Sequence, residues 1–257
     1  MGDIRDMTQE SGVLLREWRR RRNLSQLDLA HRAGVSSRHV SFIETGRARP
    51  TSAMILRLCD QLAVPLREQN RCLLAAGYAP AHPEHALDAP PMAEVAAAID
   101  AILAAHLPFP ALVVDPGWDL VAANDALYAL IGEVAPRLVE PPVNVVRLSL
   151  DPEGLAPRIV NLPEWRAHLL ARLRREHDAD HDPRLAALLA ELDDGAGEPG
   201  TTTPGLLVPL LLRVGDTVLS LLSTTTVFGT PREVTVSELA IEAFYPGDDE
   251  TRRALLA

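Results

Sequence analysis

The sequence predicts an α+β fold, in which an all-α, five-helix N-terminal domain precedes an α/β domain built on a five-stranded antiparallel sheet. Apolar residues recur at helical spacing through residues 11–76. β-rich runs separated by turn residues occur at residues 111–124 and again near the C-terminus. We therefore expect a helical domain at 1–76, a linker at 77–91 and the mixed domain at 92–257.

The composition is that of a globular, cytoplasmic protein. Hydrophobic residues make up 47 % of the 257 residues and charged residues 23 %, which excludes a disordered chain. No apolar run approaches the roughly 18 residues of a membrane-spanning helix, and the polar segment Met1–Glu10 lacks the apolar core of a secretory signal. Cys59 and Cys72 fall in helical patterns, so we expect reduced thiols in the core. We expect no membrane partner.

Charge is divided unevenly along the chain. Residues 1–75 contain 13 Arg and 8 acidic residues, whereas residues 76–257 contain 12 Arg and 27 acidic residues, which gives net charges of +5 and −15. A basic N-terminal domain joined to an acidic remainder is expected when only one end of a chain meets phosphate.

The first helix is expected over about Ser11–Arg22, with Trp18 on its apolar side and five arginines along it. Ser25 is a good N-cap for the second helix, and Asp28 completes a capping box because its carboxylate can accept the Ser25 amide. Gly34 ends this helix, since a left-handed backbone suits a residue without Cβ.

The third helix, at about Ser37–Thr45, is capped by Ser36 and closed by Gly46. A helix-turn-helix needs a small residue where the helices cross, a glycine in the turn and apolar residues on both sides. The chain supplies this set at the required spacing with Ala30, Gly34, Val35, Val40 and Ile43. Two more helices, at about Thr51–Leu62 and Pro65–Ala76, complete the domain.

Residues 11–76 resemble the lambda-repressor-like, XRE-type helix-turn-helix family. The segments that carry the resemblance are Leu24-Ser25-Gln26, Leu29-Ala30, Ala33-Gly34-Val35-Ser36, Val40-Ser41-Phe42-Ile43-Glu44-Thr45-Gly46 and Arg49-Pro50-Thr51. The resemblance implies a sequence-specific bacterial transcription regulator whose third helix lies in the major groove of a double-stranded DNA operator. Because so short a helix reaches few bases, we expect a homodimer on an inverted repeat.

The resemblance also implies a set of DNA-contacting residues. Arg38 would fork onto guanine O6 and N7, and Phe42 would either touch a thymine methyl group or pack in the core. Gln26 would bind a phosphate, as glutamine does there in this family, and Arg47 and Arg49 would contact the backbone. The full expected set is Gln26, Ser36, Ser37, Arg38, His39, Ser41, Phe42, Arg47 and Arg49. For His39 a phosphate contact and an ordinary surface position remain open.

Glu44 would pair with Arg19, as a structural pair in this family, or else stay solvated. The linker Gly77–Pro91 is rich in proline and carries His82 and His85 in an H-x-x-H pattern. Further metal ligands are not evident, so we expect no metal there. The same holds for the histidines of the segment HDADHD, His177 and His181.

The rest of the chain changes from helices to strands and back. We expect a helix at Met92–Leu107, a hairpin of Ala111–Asp115 and Trp118–Asn124, and a helix at Asp125–Ile131. Two further helices are expected at 161–176 and Pro183–Leu192, followed by a loop at Asp193–Pro204. A three-stranded meander then follows, with strands at Leu206–Val214, Val218–Phe228 and Val234–Tyr245.

Two strands, then helices, then three strands is the element order of a PAS domain. The segments ALVVDPGWDLVAAND, NLPEWRAHLLARLRRE and LLSTTTVFGTPREVTVSELAIEAFYP resemble the PAS-like ligand-binding domain of MmyB-like transcription regulators. The resemblance implies a lipophilic, fatty-acid-like effector between sheet and helices.

Four residues are candidates for lining that site. They are Trp118, Asn124, Trp165 and His168. Each has an alternative: core filling for the two tryptophans, a helix N-cap for Asn124 and a surface or satisfied histidine for His168. Aromatic residues make up only 4 % of the chain, and we expect neither haem nor flavin, nor any other cofactor.

The chain lacks the common nucleotide, hydrolase and metalloprotease motifs, so we expect no enzyme. A C-terminal domain that serves only dimerisation or protein–protein contact remains an alternative to the ligand sensor.

Overall fold

The structure is a computed structural model that describes residues 4–132, 134–180, 182–192 and 207–256. The loop expected at Asp193–Pro204 and the residue His181 lie outside the described residues. The chain divides into two compact units, one of Met1–His85 with Thr230–Ser237 and the other of Ala86–Gly229 with Glu238–Ala257.

Five α-helices form the main part of the N-terminal unit, as predicted. They are α1 (Ile4–Arg21), α2 (Gln26–Ala33), α3 (Ser37–Glu44), α4 (Ser52–Gln61) and α5 (Leu66–Ala75). The first helix begins at Ile4, earlier than the predicted Ser11. The others agree with the predicted bounds to within one residue at each end.

The predicted caps are present where α2 and α3 begin and end. The Ser25 side chain accepts the Asp28 N–H, and the Asp28 carboxylate accepts the Ser25 N–H at 2.9 Å. Gly34 is left-handed, with φ 63° and ψ 40°. The Ser36 hydroxyl accepts the His39 N–H at 3.1 Å. These local bonds fix where α3 begins and therefore which of its residues lie in its first turn.

The core of this unit brings α1 directly against α3. Trp18 and Ile43 are both fully buried, and a Cβ added at Gly12 would lie 2.3 Å from the Ile43 carbonyl oxygen. Cys59 and Cys72 are free and buried in the same core.

The second unit is built around the sheet. In chain order its elements are α6 (Ala93–Ala105), β1 (Ala111–Val114), β2 (Leu120–Ala123), α7 (Asp125–Ile131), α8 (Val145–Leu150), α9 (Leu162–Asp180), α10 (Pro183–Leu192), β3 (Leu210–Val214), β4 (Thr217–Val227), β5 (Ala240–Pro246) and α12 (Asp249–Leu256). The helix α11 (Val234–Glu238) comes between β4 and β5 in the chain and, up to Ser237, belongs to the first unit.

The strands form a five-stranded sheet in the order β2-β1-β5-β4-β3, with every neighbouring pair antiparallel. This confirms the predicted sheet. Leu112 of β1 lies opposite Glu242 of β5, which lies opposite Thr225 of β4. Side chains directly opposite one another share a face, so these three residues point to the same side of the sheet.

The two faces of the sheet have different covers. Ile99 and Leu103 of α6 pack against one face, in a cluster with Val113 and Ile241. The opposite face packs against α8, α9 and α10 in a larger apolar cluster. Since side chains alternate between faces along a strand, the second face is the one that carries Leu112 and Glu242.

The expected strand Val234–Tyr245 is wrong over its first part. Residues Val234–Glu238 form α11, and β5 begins only at Ala240. The reason is local hydrogen bonding: the Glu233 carboxylate accepts the Val236 N–H at 2.7 Å, and the Ser237 hydroxyl donates to the Val234 carbonyl. These bonds start a helical turn despite the β-branched residues. The helices α8 and α12 were not predicted either.

The expected linker packs in an ordered way against its own unit. The buried side chain of Asn70 accepts the N–H groups of Ala81 and His82, both at 3.0 Å, and donates to the His82 carbonyl. The Glu233 carboxylate accepts the His85 N–H at 2.7 Å. The segment therefore wraps on α5 and on the turn before α11.

Candidate DNA interface and ligand cavity

The residues expected to read DNA lie at the beginning and on the outer side of α3. Ser36, Ser37 and Arg38 are exposed, while His39, Ser41 and Phe42 are half-buried. The Ser36 cap places Arg38 in the first turn of α3, where recognition helices contact base edges. The contacts themselves remain predictions.

Phe42 supports two guanidinium groups. The Cζ atom of Arg38 lies 5.1 Å from the centroid of the Phe42 ring, and that of Arg47 lies 6.0 Å from it. Phe42 is not part of the apolar cluster of this unit, which speaks against the core-packing alternative. Arg38 and Arg47 thus meet at one aromatic ring.

Glu44 forms the buried ion pair with Arg19 that the family resemblance implies. Arg19 Nε lies 2.6 Å from Oε1 of Glu44 and Nη2 lies 2.8 Å from Oε2, with the glutamate side chain only 1 % exposed. The hydrogen bond with Glu44 raises the pKa of Arg19. Gln26 Nε2 donates to the same Oε2 at 2.8 Å. Because an amide nitrogen carries two N–H groups, Gln26 keeps a second donor for a phosphate.

Arg47 and Arg49 are both exposed, but they face different neighbours. Arg49 lies over the Tyr78 ring, with Cζ 5.5 Å from its centroid, and donates to the Ala76 carbonyl at 3.3 Å. Arg49 therefore sits at the end of α5 and apart from the ring that Arg47 shares with Arg38.

An apolar cavity of about 90 Å³ lies between the second sheet face and the helices α7, α8 and α9. Its walls include Leu112, Leu212 and Leu221 from the sheet, and Trp165 and Leu169 from α9. Among the seventeen side chains that line it, Ser149 carries the only hydroxyl. Such a space suits an apolar group far better than a charged one.

Trp118 and Trp165 line the cavity. The Trp165 indole N–H donates to the Ser149 hydroxyl at 3.0 Å, and the Trp118 indole N–H donates to Glu176 at 2.7 Å. Trp118 has φ 65°, an uncommon backbone conformation for a bulky residue. Both indole N–H groups are satisfied, so the cavity walls present almost entirely carbon.

Asn124 and His168 are not among the side chains that line this cavity, and their contact with an effector stays a prediction. Asn124 is the N-cap of α7; its side-chain oxygen also accepts the Ala111 N–H, and its nitrogen donates to the Phe109 carbonyl at 2.8 Å. His168 stacks on Trp165, with ring centroids 5.5 Å apart. Burial lowers the pKa of His168, and nearby arginines lower it further.

A buried charge cluster lies beside Trp118 and was not predicted. Arg172 of α9 donates to both oxygens of Glu242, at 2.9 and 2.5 Å, and to Glu176 at 2.9 Å. Its Cζ lies 4.4 Å from the Trp118 ring centroid. Burial opposes the charged form of Arg172, but the hydrogen bonds with Glu242 and Glu176 outweigh it and raise the pKa.

The described residues contain no group of three or more histidine, cysteine or carboxylate side chains that could hold a metal ion. In the linker, His82 contacts Gln69 at 3.0 Å, and His85 faces Glu233 at 3.6 Å. Within the described parts, no helix is long and apolar enough to cross a membrane.

Comparison with known protein families finds two matches. Residues 95–257 match the family described as MmyB-like transcription regulator ligand binding domain, and residues 15–69 match the family described as helix-turn-helix. A search of curated proteins found no match.

Three solved structures also resemble part of the chain. The restriction-modification controller protein C.AhdI from Aeromonas hydrophila is 32 % identical, over 24 % of this chain and 94 % of its own, with a TM-score of 0.23. Two structures of the clp gene regulator ClgR from Corynebacterium glutamicum are each 23 % identical with a TM-score of 0.25. They cover 30 % and 42 % of this chain, and 92 % and 97 % of their own.

The match to the ligand-binding domain spans more than half of the chain, and the helix-turn-helix match falls on the helices that carry Arg38 and its neighbours. The chain is therefore a DNA-binding helix-turn-helix transcription regulator that belongs to the MmyB-like family and carries that family's ligand-binding domain.

Proposed function

We propose that this regulator binds its operator as a homodimer through α3 and responds to a lipophilic, fatty-acid-like effector in the cavity of its C-terminal unit. The observation that carries the proposal is the carbon-walled cavity between sheet and helices, whose lining offers only one hydroxyl. Transfer of a hydrocarbon chain from water into such a space is favourable by about 0.8 kcal/mol per buried CH₂ group.

The size of the cavity adds a condition. At about 90 Å³ it is smaller than the roughly 300–1,000 Å³ of most small-molecule sites. An effector with a long chain must therefore move the walls apart. A ligand that binds only a widened state shifts the population toward that state, and such a shift is what a sensor needs.

The test is thermal melting of the full-length protein with dodecanoate and hexadecanoate. A ligand that binds only the folded state stabilises it by about 2.7 kcal/mol at a hundredfold excess over Kd. Leu155 lines the cavity and is half-buried. Leu155→Phe should therefore fill the space and abolish the rise in melting temperature that the fatty acid causes. Val160 is exposed, and Val160→Phe should retain the rise in melting temperature. A shift that Leu155→Phe leaves intact would place the ligand elsewhere.

The small size of the cavity also favours a second candidate function, in which the C-terminal unit only dimerises. If neither fatty acid raises the melting temperature and light scattering shows a dimer, the dimerisation function is supported and the sensor is rejected.

The DNA side of the proposal is tested with a duplex selected by the wild-type protein from a randomised library. Arg38→Ala should cost about 1–3 kcal/mol on the selected site and relax preference at one base pair. Arg47→Ala should weaken binding to all sequences alike and reduce the salt slope by about one unit. Unchanged site preference in Arg38→Ala would reject the proposed placement of α3. A footprint with one unrepeated half-site would reject the homodimer.

A further inference from the structure

The ring of Phe42 joins two arginines, one inside α3 and one in the turn that follows it. Arg38 is in the first turn of α3, one helical turn before Phe42, whereas Arg47 follows the end of α3. Their guanidinium carbons lie 5.1 and 6.0 Å from the same ring centroid. Both distances are within the range in which a cation is attracted to an aromatic ring.

The backbone of Phe42 holds the second arginine as well. The Phe42 carbonyl accepts the N–H of Arg47 at 2.8 Å and that of Ala48 at 3.1 Å. The turn after α3 is therefore tied to the residue whose ring its arginine approaches. The Phe42 ring contacts both arginines, and its carbonyl also holds the backbone of Arg47.

The arrangement counters two costs of DNA binding. Arginine side chains lose rotamer freedom when they bind, and side chains that are already ordered lose less. DNA binding also gathers positive charge at the interface, and the negative face of an aromatic ring stabilises a cation placed over it. A leucine at this position would supply apolar volume without the ring's charge distribution.

We propose that Phe42 is a positioning residue that holds Arg38 for base recognition and Arg47 for phosphate contact, and that it is not itself a reader of thymine methyl groups. This inference rests on the proposed placement of α3 in the major groove. In this arrangement the Phe42 ring stays on the protein side of the interface, and the guanidinium groups of Arg38 and Arg47 face the DNA.

The experiment uses full-length protein and the duplex selected from a randomised library by the wild type. Phe42→Leu should weaken binding about two- to fivefold for each arginine that it releases, as expected for exposed cation–π contacts. Phe42→Tyr keeps the ring and should retain affinity and base preference. The melting temperature of each variant reports whether it folds. If Phe42→Leu does not fold, Phe42→Met takes its place in the comparison.

A double-mutant cycle gives the readout that a merely structural role would not produce. In an Arg38→Ala background, Phe42→Leu should no longer change preference at the base pair that Arg38 reads. In an Arg47→Ala background, it should no longer reduce the salt slope. Additive effects in both cycles would overturn the inference.

Replacing each thymine of the duplex with deoxyuridine in turn tests the competing role, since it removes only the methyl group. We expect wild type and Phe42→Leu to respond equally at every position. A loss at one position in the wild type that disappears in Phe42→Leu would show a methyl contact and overturn the inference. If Arg38→Ala alone leaves base preference unchanged, the proposed placement of α3 fails first, and the two failures are thereby distinguished.

Discussion

Glu44 ties three helices of the DNA-binding unit together, because it lies on α3 and binds Arg19 of α1 and Gln26 of α2. It is 2 % exposed and accepts hydrogen bonds from both Arg19 and Gln26. Removing one partner of a buried ion pair leaves the other charge uncompensated. The same change would also release the Gln26 side chain, which is expected to bind phosphate.

We therefore predict that Glu44→Ala lowers the free energy of unfolding by about 3–5 kcal/mol, measured by urea denaturation. Glu17 lies on α1 and is exposed, so Glu17→Ala should change the free energy by no more than about 0.5 kcal/mol. Equal effects of the two substitutions would mean that the buried pair contributes no more than a surface charge.

His168 gives the C-terminal unit a defined pH dependence. Burial and the charges of Arg172 and Arg175 lower its pKa in the folded state, while the unfolded value stays near about 6.5. As the pH falls through this range, the unfolded chain binds more protons than the folded one. The free energy of unfolding therefore decreases as the pH decreases.

We expect the melting temperature of the unit that contains His168 to decrease as the pH falls below about 6.5, and His168→Gln to flatten part of that decrease, since glutamine does not titrate. Melting curves between about pH 5 and pH 8 measure it. An unchanged slope in His168→Gln would assign the pH dependence to other groups.

At the scale of single elements, the caps explain why the N-terminal helices could be predicted. Ser25, Asp28, Gly34 and Ser36 specify helix ends through bonds to residues at most four positions away, and such bonds are readable in sequence. The start of β5 is different. Val234–Glu238 has β-branched residues typical of a strand, yet the Glu233 carboxylate starts a helical turn there.

The cavity walls were harder to predict because their residues come from many elements. Trp118 and Trp165 line the cavity, but their sequence pattern is also compatible with core filling. Asn124 is an N-cap, which was the stated alternative. Glu242, a single charge in the apolar run Ala240–Phe244, was the available signal for the buried cluster with Arg172.

The crossing of α1 and α3 leads to a prediction for Gly12. Alanine at a helix position usually gains up to about 1 kcal/mol over glycine. Here its Cβ would lie 2.3 Å from the Ile43 carbonyl oxygen, a backbone atom that cannot rotate away, and overpacking typically costs about 1–3 kcal/mol. The clash outweighs the propensity, so Gly12→Ala should be destabilising and should also weaken DNA binding by displacing α3.

Gly229, in the loop after β4, is the control for added volume, because a Cβ there meets nothing within 4 Å. Gly229→Ala should leave both stability and DNA binding close to those of the wild type. Gly12→Ala protein as stable as the wild type in urea would mean that the two helices can separate at no cost.

At the scale of the whole molecule, the charge distribution suits a chain with two tasks. The 13 arginines of residues 1–75 lie with the helix-turn-helix, and the acidic excess of −15 lies in residues 76–257. The acidic part should be repelled by DNA, so that contact is limited to the basic end. Operator binding should accordingly weaken as salt rises, with a slope set by the phosphates that the basic unit contacts.

Thermodynamic linkage between the two proposed ligands supplies the last prediction. If the effector changes operator affinity by some factor, DNA must change effector affinity by the same factor. A coupling of about 1–3 kcal/mol, or roughly 5–150-fold, is ordinary for such proteins. Titration of dodecanoate into free protein and into the protein–operator complex, and of operator into protein with and without dodecanoate, measures the factor twice. Since an effector must widen a cavity of about 90 Å³, we expect a factor clearly different from one. Dodecanoate that binds and stabilises the protein with a factor of one would be a structural lipid, because a ligand with equal affinity for two states shifts neither.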